Sequence, residues 1–101
     1  MSQPLTFAAF QKLIHDRYFA TDSARGTPRT FMWLMEEIGE LATALQSNLP
    51  GKTPTPEERA NLDEEFADVL AWLTTIANIH GVDWERALRK YTHQTIDGEK
   101  N

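Results

Sequence analysis

A chain of 101 residues holds one domain at most, here residues 1–101, and a domain that small buries only a modest core. Its 41% apolar and 25% charged residues are those of a globular protein rather than a disordered one. A net charge of −5 argues against a nucleic-acid or membrane surface, and the lack of cysteine excludes disulfides, thiolate metal sites and cysteine nucleophiles.

The opening "MSQPLTFAAF" has no basic segment and no long apolar run, so no signal peptide is expected. No stretch reaches the roughly 18 apolar residues that would read as a membrane span. The expected location is the cytoplasm. Residues 4–19 read as a first helix, with Phe7, Phe10, Ile14 and Tyr18 at helical spacing. Residues 20–27, "ATDSARGT", are polar, contain Gly26 and read as a loop. Thr27 followed by Pro28 is a helix-start signal, and the second helix is expected over 28–48. "NLPGKTPTP" is a connection. Pro56 with Glu57 and Glu58 opens a third helix that runs to about His80 and ends at Gly81. Asp83 caps a fourth, running to about Thr95, and the tail "DGEKN" is expected to fray. No segment alternates with period two, and no glycine-rich phosphate loop is present. The fold class is therefore all-α, a bundle-like arrangement of four helices.

Two helices carry acids inside apolar runs: "WLMEEIGELATAL", residues 33–45, and "LDEEFADVLAWL", residues 62–73. At about 100° per residue, Phe31, Leu34, Met35, Ile38, Leu41, Ala42 and Leu45 form one stripe of helix two, the expected core face. Glu37 and Glu40 lie off it, on a side shared with Trp33 and Ala44. In helix three Leu62, Phe66, Val69, Leu73, Ile76 and Ala77 form the stripe, and Glu65 and Asp68 share a flank with Trp72 and Ile79. Each helix thus shows two apolar sides. Acids one turn apart repel, and burial worsens this. No Lys or Arg occurs between Thr30 and Gly51, or between Leu62 and Trp84, to neutralise them. Antiparallel packing of the two helices would bring Glu37 and Glu40 opposite Glu65 and Asp68. Such an all-oxygen set suits Mg²⁺ or Mn²⁺ and leaves positions for water and phosphate. A merely solvated acidic face is the competing reading of the spacing.

Glu36-Glu37-x-x-Glu40 followed by Glu65-x-x-Asp68, with the flanks "LMEEIGELATAL" and "DVLAWLTTIANIHGVDWERAL", resembles the two-part signature of MazG-like nucleotide pyrophosphohydrolases. The likeness covers roughly residues 30–93. It implies an all-α chain working as a homodimer or a dimer of dimers. It also implies Mg²⁺-dependent cleavage of a nucleoside triphosphate between the α- and β-phosphates, giving the monophosphate and pyrophosphate, in a house-cleaning role. On this resemblance Glu37, Glu40, Glu65 and Asp68 become metal ligands and Glu36 the residue that orients or deprotonates water, with Glu64 its rival. Lys90, followed by Tyr91, becomes the phosphate-contacting residue of helix four, with His93 the alternative. Where relatives carry an Asn and an Arg shortly after that lysine, this chain has Thr92, His93 and Gln94.

Trp33 and Trp72 are candidates for stacking on a nucleobase, against the commoner use of such residues in a core or interface. His80 reads as a partner of the helix-three dipole. Lys12, Arg17, Arg25 and Arg29 read as solvated surface, the alternative being that the fold or a second subunit brings them to phosphates. Two other functions compete: a phosphoribosyl-ATP pyrophosphatase, which shares the acid signature, and a non-catalytic helical module whose acids hold a structural cation or a basic partner.

Overall fold

A computed structural model describes residues 4–93, and every regular element among them is helical. Three long helices, α1 (Phe7–Arg25), α2 (Thr27–Ser47) and α3 (Pro56–Ile79), are followed by two single turns, α4 (Trp84–Ala87) and α5 (Arg89–Thr92). The fourth helix read from sequence is therefore broken at Leu88, and its proposed end beyond His93 lies outside the described residues, as does the tail.

Helix α1 starts at Thr6, whose hydroxyl accepts from the Ala9 amide at 3.0 Å. It does not stop at residue 19. "ATDSAR" contains polar residues but no helix breaker, and its side chains bond locally. Ser23 donates to the Phe19 carbonyl at 2.7 Å, and Arg25 pairs with Asp22 one turn back at 2.7 Å. The helix ends at Gly26, which donates its amide to the Asp22 carbonyl and at once becomes the N-cap of α2. The expected loop is thus a one-residue corner. Gly26 has φ 88° and ψ 168°, a region essentially reserved for glycine. Gly26→Ala should cost about 1–3 kcal/mol, a fall in melting temperature of about 5 °C or more for a domain of this size. Calorimetry of the variant checks this.

With Gly26 as the cap, the Thr27 hydroxyl is left free and lies 2.7 Å from His80 Nε2. This joins the start of α2 to the end of α3, so the two helices run antiparallel. Helix α3 opens on a full capping box: Thr55 accepts from the Glu58 amide, and Glu58 accepts from the Thr55 amide. At the far side Gln11 of α1 donates to Asn78 and to the Val82 carbonyl, and accepts from the Trp84 amide. These bonds fix α1 against the α3–α4 turn. Helix α3 is central, with α2 along one side and α1 along the other.

Among the described residues few side chains are buried: Ile14, Leu34, Ala44, Leu62 and Ala77 are the apolar ones, with Asp22, Thr30, Glu65, Thr74 and Thr75 beside them. The face of α2 that packs on α3 carries Thr30, Trp33, Leu34, Glu37, Leu41 and Ala44. The stripe expected to form the core points elsewhere. Leu34 is buried and Leu41 half-buried, but Phe31, Met35, Ile38 and Leu45 are exposed. On α3, Phe66 and Leu73 are exposed as well. No helix among the described residues is long and apolar enough to cross a membrane.

Candidate metal centre and adjoining cavity

The antiparallel α2–α3 pair brings Glu37 of α2 to Glu65 and Asp68 of α3, and each offers an oxygen within 4.8 Å of the others. Glu65 is buried, Glu37 half-buried and Asp68 exposed, so the cluster runs from the interior to solvent. Oε1 of Glu37 and Oε1 of Glu65 are buried without a hydrogen-bond partner. Leaving such atoms unpaired is costly, because each has surrendered water and received nothing. Burial, and then the neighbouring charges of Glu40, Glu37 and Asp68, push the Glu65 carboxyl above the usual carboxylate range. Glu40 therefore belongs to the same electrostatic group, although it lies on the exposed side of α2.

No ion pair among the described residues joins any of these acids to a base; the pairs present are Lys12–Asp16, His15–Asp16 and Arg25–Asp22. A hard divalent cation fits this donor set: carboxylate oxygens only, two of them buried and unpartnered.

Beside the acids lies an aromatic group. Trp33 stands one turn before Glu37 and Trp72 one turn after Asp68. Their rings meet edge to face, with centroids 5.3 Å apart. The Arg25 guanidinium sits 4.7 Å from the Trp33 ring and 5.4 Å from that of Trp72. Next to this group a cavity of about 410 Å³ opens between α1 and α3, with Tyr18, Asp22, Arg25 and Trp72 in its walls and Asp68 at its edge. That size suits a small organic ligand.

The other sequence candidates are distributed as follows. Glu36 and Glu64 are exposed and outside the three-acid cluster. Lys90 is exposed on α5, its Nζ 5.5 Å from the Tyr91 ring, and no ion pair links it to the acids. Sequence reasoning passes over Asp22 and takes Arg25 for surface or a phosphate contact, not for a residue of a cavity wall. Both are largely buried, whereas the sequence places them in a solvated loop. Their i, i+3 spacing was a usable signal only if the first helix ran on past residue 19.

Helical architecture, antiparallel acid-bearing helices and an unneutralised carboxylate cluster define an α-helical protein with a candidate divalent-cation site. The model of the MazG nucleotide pyrophosphohydrolase domain matches residues 26–100, well over half of the chain, and the chain belongs to that family. Family membership supports nucleotide pyrophosphohydrolase activity on a nucleotide substrate. No curated protein matches the chain.

Proposed function

We propose that the protein is a Mg²⁺-dependent nucleoside triphosphate pyrophosphohydrolase (Mn²⁺ serving in its place) that cleaves between the α- and β-phosphates. The observation that carries this reading is the convergence of Glu37, Glu65 and Asp68 with two buried, unpartnered carboxylate oxygens. Glu37, Glu40, Glu65 and Asp68 would hold the cation. When bound, it supplies positive charge for phosphate oxygens that the acids alone would repel, and a place for water.

The chain's own residues do the rest. Asp68 sits both in the cluster and at the edge of the α1–α3 cavity, so triphosphate and nucleoside ends of one substrate fit side by side. Trp72 and Tyr18 offer aromatic surface to the nucleoside, and Trp33 backs Trp72 rather than lining the cavity. Glu36 accepts the proton of the attacking water, with Glu64 the alternative. The water oxygen bonds to phosphorus as the bridging P–O bond breaks, and pyrophosphate departs. Lys90 would reach phosphate from α5, which packs on α4 rather than on the acid-bearing helices, so assembly of chains would have to bring it to a site. The working unit is a homodimer or dimer of dimers, supported by the exposed apolar stripe of α2. House-cleaning of nucleotides in the cytoplasm is the role this reading assigns.

Pyrophosphate release from a panel of nucleoside triphosphates tests the proposal. Activity should vanish with EDTA and return with Mg²⁺ or Mn²⁺. Full activity in chelator defeats the metal assignment. Turnover of phosphoribosyl-ATP alone would favour the competing pyrophosphatase reading.

A further inference from the structure

The Asp22–Arg25 pair has no part in holding a cation, yet it is the most buried ion pair among the described residues. The side chains are 7% and 13% exposed, and the bond between Arg25 Nη2 and Asp22 Oδ1 is 2.7 Å. Nε of Arg25 donates to Thr30, which is fully buried, at 3.0 Å. Thr30 in turn donates to the Gly26 carbonyl at 2.8 Å. The guanidinium plane is also bounded by the Trp33 and Trp72 rings. So Arg25 is fixed by an acid, a hydroxyl and two aromatic rings, and no acceptor among the described residues takes the hydrogens of its Nη1. Asp22 and Arg25 both line the α1–α3 cavity, whose other walls are largely apolar or aromatic.

A buried ion pair is a weak source of stability, because desolvation offsets the attraction. Its placement in a cavity wall has another consequence. An immobilised guanidinium and a carboxylate present a donor and an acceptor side by side, and neither loses much freedom when a ligand arrives. Stacking on Trp72 and Tyr18 would accept any base, since every base has a π-face. A polar pair in the wall would not, because a base that mismatches it leaves the Nη1 hydrogens of Arg25 and the second oxygen of Asp22 without a partner.

We propose that Arg25, held by Asp22, is the specificity-determining residue of this cavity. It reads the hydrogen-bonding edge of a nucleobase, Arg25 facing a ring nitrogen or carbonyl acceptor and Asp22 an N–H donor. The inference rests on the hydrolase reading for the identity of the ligand, but not for its test.

The test compares wild type with Arg25→Met, Arg25→Lys and Asp22→Asn across the four common ribonucleoside triphosphates, with Mg²⁺. Wild type should show kcat/KM values spread by about a hundredfold between best and worst base. In Arg25→Met the spread should collapse, with KM of the best substrate raised about tenfold or more and kcat within a few-fold. Arg25→Lys, which keeps the charge but not the fork, should lose discrimination too. All variants should keep the wild-type gain in melting temperature with Mg²⁺. The same comparison is made for nucleoside monophosphates by quenching of tryptophan fluorescence, which needs no turnover. Base-dependent quenching that Arg25→Met levels supports the proposal even if no triphosphate is cleaved, in which case only the hydrolase reading fails. An unchanged rank order and spread in Arg25→Met overturns it. So does a loss confined to kcat, or a fall in stability with discrimination intact. Equal or absent binding of all four bases by wild type overturns it as well.

Discussion

Glu65→Gln should abolish metal-dependent turnover and, at neutral pH, raise the melting temperature of the metal-free protein. Both effects follow from one arrangement. Glu65 is the buried member of the cluster, and it faces Glu37 across the α2–α3 interface with Glu40 and Asp68 close by. Removing its charge relieves repulsion and removes the desolvation of a carboxylate. The new amide can donate a hydrogen bond to Glu37, whose buried oxygen has no partner. Loss of a ligand to the cation should reduce turnover by about a hundredfold or more, as loss of preorganised charge in a site generally does. Asp68→Asn should do likewise, with a smaller gain in apo stability because Asp68 is exposed.

The pH dependence gives a second readout of the same variant. The folded pKa of Glu65 is raised above its unfolded value, chiefly by burial and then by Glu40, Glu37 and Asp68. The folded chain therefore binds the proton more tightly than the unfolded chain. The stability this contributes is fully present below the unfolded carboxylate pKa and is lost as pH rises through the raised folded value. Metal-free wild type should lose stability across that window, while Glu65→Gln should lose less. Because the cation displaces the proton, the Mg²⁺-induced gain in melting temperature should grow with pH over the same range in wild type. A solvated acidic face would show none of this: the Gln variant would retain both activity and metal response. Glu36→Gln separates the remaining role. If Glu36 handles water, the variant should keep the Mg²⁺ response and turn over slowly. If it loses that response, Glu36 is a ligand and Glu64 is the next to test.

The acid pattern was legible in sequence because it depends on helical periodicity alone. Glu37, Glu65 and Asp68 meet as expected once α2 and α3 lie antiparallel, and short connections make that packing the natural one. The start at Pro56 with Glu57 and Glu58 and the stop at Gly81 are local signals of the same kind. What was not legible depends on partners. Polar composition at residues 20–25 looks like a loop, but bonds from Ser23 and Arg25 back into the preceding turn let the helix continue. That extension carries Asp22 and Arg25 to the cavity wall, which a loop over residues 20–27 does not anticipate. The second error has the same origin. The hydrophobic stripe of α2 was read as the core because periodicity shows that a face is buried, not what buries it. Within one chain, α3 covers the adjacent face, with Trp33, Glu37 and Ala44.

That displaced stripe leads to the second large expected effect: Ile38→Glu should turn an oligomer into a poorly folded or strongly destabilised monomer. Phe31, Met35 and Ile38 are 50%, 43% and 40% exposed on adjoining turns of α2. Phe66 and Leu73 on α3 are also uncovered. Covering each half-exposed side chain in a second copy contributes on the order of 1 kcal/mol. A chain with so few fully buried residues depends on that contribution. Light scattering at micromolar concentration should give a dimer or tetramer for wild type, with a melting temperature that rises with concentration. Ile38→Glu places a charge in the middle of the stripe and should halve the mass or less, lower the melting temperature by about 10 °C or more, and remove the concentration dependence. Thr43→Glu is the control, since Thr43 is exposed on the same helix away from the stripe. It should leave mass and melting temperature close to wild type. A wild-type monomer at that concentration, or an Ile38→Glu protein of unchanged mass, would mean that the stripe is free surface and that each chain works alone.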